Sequence, residues 1–241
     1  MISAFSLAIG QLSDKSLRQV VWIGLIGSLA IFMLLWLTIG FVLFETELFA
    51  TGWLFGLYDK IVEWLTDIFG GVLVIIATWF LFPAIATLIA SFFLERAALA
   101  VENKHYPDLP ETRGQGLSEI IKITVKFTGL SIVLNILALP IYLLFFFLGP
   151  LNLFVFYALN GYLLGREYFE LIAHRRLEPL AAIHLREAFR GQMFMAGVII
   201  TFLMTIPVVN LIAPVIATAA MVHLVQGWRN RIDALNQKVD L

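Results

Sequence analysis

Ser16-Leu17-Arg18-Gln19 stands immediately before the first long uncharged stretch of the chain. Serine with glutamine three residues on is a capping-box pattern, which predicts a helix N-terminus there. A helix start offers unpaired N–H groups and the positive end of the macrodipole. Arg18 adds a planar donor fork suited to an oxyanion. Ser16, Leu17 and Arg18 are therefore the candidate anion-binding residues, sized for a small dianion. The plainer reading is that Arg18 anchors the helix at lipid headgroups.

Further charges fall in groups. Arg166, Glu167 and Glu170 precede His174, Arg175 and Arg176, and Glu95-Arg96 closes another apolar stretch. Glu95, Arg96, Arg166, Arg175 and Arg176 are candidates for the mouth of an anion pathway, against the alternative of a solvated charged face. Catalytic residues are not expected. The four histidines, His105, His174, His184 and His223, lack zinc-site spacing, and no Walker A, GxSxG or GxGxxG motif is present. The chain has no cysteine, which removes thiol catalysis, disulfides and cysteine metal sites. No metal and no cofactor is expected. His223, alone in an apolar stretch, would suit proton coupling, but its closeness to Trp228 favours the membrane interface.

The elements that must position these residues are membrane helices. Hydrophobic residues make up 61% of the chain and charged ones 14%, against roughly 45–50% and 25% in soluble domains. Uncharged runs cover residues 20–44, 68–94 and 127–165, and residues 191–228 are broken only by His223. A bilayer core needs roughly 20 apolar residues in helix, so each run can enter or cross it. A net charge of −1 argues against nucleic acid as a partner. No cleavable signal peptide is expected, because the first run is too long for one.

The chain reads as one membrane domain, 1–241. Residues 1–19 form an amphipathic N-terminus, with Ile2, Phe5, Ile9 and Leu12 on one face. Span 1 covers 20–44, an external segment 45–67, span 2 68–94, and a cytoplasmic segment 95–126. Hairpin 1 covers 127–165, a second cytoplasmic segment 166–190, hairpin 2 191–228, and a cytoplasmic tail 229–241. Of 16 Lys and Arg residues only Lys60 lies between positions 20 and 94, so the positive-inside rule places 45–67 outside and both termini in the cytoplasm. The hairpins break at Gly149-Pro150 and between Pro207 and Pro214, leaving short arms that are either full spans or re-entrant. Pro179 is expected to open a short amphipathic helix that Gly191 closes.

Thr205-Ile206-Pro207-Val208-Val209-Asn210-Leu211-Ile212-Ala213-Pro214 resembles the hairpin motif of the CysZ family of bacterial sulfate permeases, part of the etoposide-induced membrane protein superfamily. Gly149-Pro150, Tyr168-Phe169-Glu170, Arg175-Arg176-Leu177 and Leu17-Arg18 match in order and spacing across nearly the whole chain. The resemblance implies an all-α integral membrane protein with two long transmembrane helices and two pairs of partly penetrating helices, assembled as a homo-oligomer. It implies channel-like sulfate uptake across the inner membrane for cysteine biosynthesis. It also places sulfate at a Gly-Leu-Arg or Gly-Ile-Arg motif, often followed by a second arginine. Here the glycine is Ser16 and the second arginine is Gln19, so Leu17 and Arg18 alone carry over.

The expected function is thus permeation of sulfate or a similar oxyanion in the lipid bilayer of a bacterial cell, without enzymatic activity. A permease for a different small anion is one alternative. A non-transporting membrane scaffold that binds partners through its arginine-rich face is another, and lipid handling a third.

Overall fold

The computed structural model describes residues 1–44, 93–114 and 116–239. The expected external segment 45–67, with its aromatic residues Trp53, Tyr58 and Trp64, and nearly all of span 2 lie outside the described residues. Every regular element among the described residues is helical: α1 (Ile2–Gln11), α2 (Lys15–Phe44), α3 (helical over 93–105), α4 (Leu117–Leu144), a 3₁₀ turn (Phe146–Leu148), α5 (Pro150–Ala173), α6 (Pro179–Ala188), α7 (Arg190–Thr205), α8 (Pro207–Asn210) and α9 (Ala213–Val239). The chain divides into two compact units, one formed by Met1–Gln19 with Leu94–Leu241 and the other by Val20–Phe93.

In the second unit, α2 holds the whole uncharged run 20–44. Trp22, Ile26, Met33, Leu34 and Leu37 all project outward, with Leu37 74% exposed. An exposed helix face this apolar is one that an apolar surround would cover. Gly27 lies against the ring of Phe93.

In the first unit, local chemistry sets the breaks. Gly149 takes a positive φ of 23°, Pro150 fills the first turn of α5, and the two together reverse the chain. Ile206 is extended before Pro207, as the residue preceding proline is biased to be. Within α4, residues Ser118–Leu144 are long and apolar enough to cross a membrane. Pro140 lies inside that helix. The loop after α4 is apolar and exposed, most of all Phe147 at 91%.

The helices do not stop where the uncharged runs stop. α4 begins ahead of 127 and α5 continues past 165; of the charges carried in this way, Glu119 pairs with Arg113 and Arg166 with Glu170. The expected stop at Gly191 is also displaced. α6 ends at Ala188, the axis turns by 83° at Phe189, and Gly191 lies in the first turn of α7 with no special backbone conformation.

α5 and α7 approach most closely, and glycine makes this possible. A Cβ on Gly197 would strike the carbonyl oxygen of Gly161 and lie 2.6 Å from the nitrogen of Gly165; one on Gly165 would strike the carbonyl of Met193. Gly161 and Gly165 form a GxxxG pair, the spacing that lets two helix backbones meet in an apolar medium. Trp228 of α9 is buried, stacked on Phe189 at 5.2 Å, and donates its indole N–H to Gln192 at 2.8 Å. This tryptophan is part of the protein core.

α1 packs on α9 with Ala4, Phe5, Ala8 and Gln11. The apolar face read from the sequence is therefore not the buried one: Phe5 is buried, but Ile2 is 80% exposed and Ile9 50%. The two alanines permit close approach, and Gln11 is buried because it is hydrogen-bonded.

Candidate functional site

α2 begins one residue before Ser16. The backbone N–H of Arg18 donates to the carbonyl of Asp14 at 2.9 Å, which makes Asp14 the cap residue and puts Ser16 inside the first turn. The expected Ser16–Gln19 capping box is thus displaced. The side chain of Asp14 pairs with Lys104 at 2.6 Å. Leu17 is buried at 1% exposure, and Ser16 and Arg18 are exposed. Leu17 anchors the turn so that its neighbours face outward. Gln11, Asp14, Ser16, Leu17, Lys104 and His105 line a narrow crevice at this helix start.

The other candidate residues fall into two ion-pair clusters. In one, Glu102, 1% exposed, accepts from Arg175 at 3.2 Å and Arg176 at 2.7 Å, and Arg175 also reaches Glu95 at 3.6 Å. Arg176 bonds the carbonyl of Pro110 as well. Arg113 adds a brace: its backbone N–H donates to the carbonyl of Arg175 at 2.7 Å, and its guanidinium pairs with Glu119 at 2.5 Å and Glu178 at 2.9 Å. These contacts fasten the 106–114 loop to the turn after α5. Arg96 is exposed on α3.

In the second cluster one oxygen of Glu170 accepts from Arg166 at 2.7 Å and Arg186 at 3.0 Å, and Arg166 lies over the ring of Phe127. The structure thus brings Glu95, Arg175 and Arg176 together and leaves Arg166 in a different group. His174, at the C-terminal end of α5, has its pKa lowered below the usual imidazole value, mainly by burial.

Sequence reasoning missed a third polar group. Gln11 contacts His105 at 2.9 Å and His223 at 2.7 Å, and Tyr106 reaches the other nitrogen of His223 at 2.9 Å. His223 is buried. The residues come from α1, the end of α3 and α9, and no local spacing announces them. Among the described residues no group of three or more His, Asp or Glu is placed to hold a metal ion.

The profile of the family described as sulfate transporter CysZ/etoposide-induced protein 2.4 matches residues 4–214. The chain belongs to this CysZ/etoposide-induced family. No curated protein matches the chain. The match spans α1 through the start of α9, so the crevice, both ion-pair clusters and both chain reversals lie within the family's bounds. Membership makes the protein one of a transporter family.

Proposed function

We propose that this protein is a permease for sulfate or a similar tetrahedral oxyanion, working in the bacterial inner membrane as a homo-oligomer with both termini cytoplasmic. The observation that carries the reading is the state of Arg18. Arg113, Arg166, Arg175, Arg176, Arg186 and Lys104 are each neutralised by a carboxylate within the protein. Arg18 is exposed in the first turn of α2, and no ion pair engages it among the described residues. Its guanidinium fork and the free N–H groups at the helix start can converge on one oxyanion, with the Ser16 hydroxyl adding a donor. The exposed apolar surfaces of α2, α4 and the Phe146–Leu148 turn support insertion of α2 as a span and of the α4–α5 pair as a membrane hairpin.

The scaffold alternative needs free arginines on the cytoplasmic face, and the pairing of Arg175 and Arg176 with Glu102 counts against it. The test is radiolabelled sulfate flux into proteoliposomes. Wild-type protein should carry sulfate, and Arg18→Ala should cut the flux at least tenfold with the fold retained. Unchanged mutant flux removes Arg18 from the mechanism, and absent wild-type flux removes sulfate.

A further inference from the structure

We infer that His105, His223 and Gln11 form a binding site for a borderline divalent transition-metal ion such as Zn²⁺, which staples α1 to α9. The two Nε2 atoms come from residues 118 apart in sequence and converge on a single atom, the side-chain nitrogen of Gln11, at 2.9 and 2.7 Å. Accepting from that amide requires both lone pairs to point at the same place. The two rings stand at 78° with centroids 5.3 Å apart. For a zinc ion 2.0–2.1 Å from each Nε2, the ring centroids lie about 3.2 Å from the metal, and a tetrahedral angle then separates them by about 5.2 Å. The rings therefore already hold tetrahedral spacing around a common ion.

The surroundings supply the other parts of such a site. His223 contacts the hydroxyl of Tyr106 through Nδ1 at 2.9 Å, the outer hydrogen bond that fixes the tautomer and aims the opposite nitrogen of a metal-bound histidine. Gln11 Oε1 is buried without a hydrogen-bond partner. A shift of the Gln11 amide away from the point it now fills, with this oxygen turned toward the histidines, opens room for the ion and gives it a third donor. The crevice bounded by Gln11, Ser16, Lys104 and His105 borders this group and is too narrow to admit a water unless its side chains part. Lys104, the nearest cation on that crevice, is neutralised by Asp14. Two imidazoles and a carbonyl suit Zn²⁺, Ni²⁺ or Cu²⁺ better than the hard ions Mg²⁺ and Ca²⁺, which take oxygen ligands. The site does not depend on what the protein transports.

The experiment is calorimetric titration of ZnCl₂ into tag-free full-length protein in detergent at pH 7.5. One ion per chain should bind with a micromolar Kd, weakened at least tenfold by His105→Ala and by His223→Gln and unchanged by His184→Ala. His105 and His184 are both exposed, so these variants leave the core intact, and matched melting curves verify that. X-ray absorption of the zinc complex should show two imidazole nitrogens. Failure of the wild type to bind overturns the site. So does binding by His105→Ala and His223→Gln within twofold of wild type, or a coordination shell without imidazole pairs.

Discussion

Replacing Gly197 by alanine adds one methyl group where α7 meets α5. That carbon would lie 2.6 Å from the backbone nitrogen of Gly165 and closer still to the carbonyl of Gly161, roughly 0.8 Å short of ordinary van der Waals contact at the first of these. Both obstacles are backbone, so no rotamer change relieves them and the two helices must separate. Forcing an extra methylene into a packed contact costs about 1–3 kcal/mol, and the rigid neighbours here place the change at the upper end, about 3 kcal/mol. For a chain of this size each kcal/mol lowers Tm by about 2–4 °C, so Gly197→Ala should melt about 6–12 °C below wild type. Gly227→Ala on α9, where nothing lies within 4 Å of the added carbon, is the matched control. It should be neutral or gain up to about 1 kcal/mol from helix propensity. Melting followed by size-exclusion recovery of detergent-solubilised protein measures both. Equal Tm for Gly197→Ala and wild type would refute the close-contact account of the α5–α7 pair.

Glu102→Gln leaves Arg175 and Arg176 beside a neutral buried group and should cost about 3 kcal/mol; Glu111→Gln at an exposed position should change nothing in the same thermal assay. His174 is held neutral by burial in the folded protein. Its folded pKa is below the unfolded value of about 6.5, so its effect is absent above that pH and stability falls as pH drops below it. His174→Gln should flatten the Tm-versus-pH curve between pH 7.5 and 5.5. Asp14→Asn releases Lys104 from its ion pair next to Arg18. Sulfate binding, read by calorimetry at low salt, should tighten by several-fold, in keeping with about 1 kcal/mol for one exposed charge, and an unchanged Kd would separate Lys104 from the anion site.

The chain reversals were legible because they are written in covalent geometry. Gly149 alone among the glycines of the described residues takes a positive φ, and Pro150 and Pro207 each open a helix. The capping box at Ser16 misread the start of α2 by two residues, since Asp14 is an equally good cap. The face of α1 was misread for a different reason. Small Ala4 and Ala8 let α1 approach α9 closely and make the contact, and the larger Ile2 and Ile9 remain exposed. The same physics hides the α5–α7 contact from a hydropathy reading, although the GxxxG spacing of Gly161 and Gly165 was available. The ion pairs were visible as charge density alone. Glu102 is over 70 residues from the arginines it binds, and nothing local links them.

Those partners change how the arginine-rich segments bear on anion transport. A guanidinium that already shares a buried carboxylate can take a second anion only by giving up the first, and the carboxylate would then be left unpaired in a poorly solvated site. For Glu102, at 1% exposure, that exchange costs several kcal/mol, more than an oxyanion recovers from one arginine. Arg175 and Arg176 therefore act as fasteners of the 106–114 loop. Glu170, shared by Arg166 and Arg186, is more open to competition, because its partner Arg186 is 23% exposed. Under the proposed function, an anion reaching this end of α2 meets Arg18, an exposed cation that no ion pair engages among the described residues. It lies at the first turn of α2, where the helix dipole adds to its field and where Leu17, the only fully buried member of the motif, keeps Arg18 turned outward.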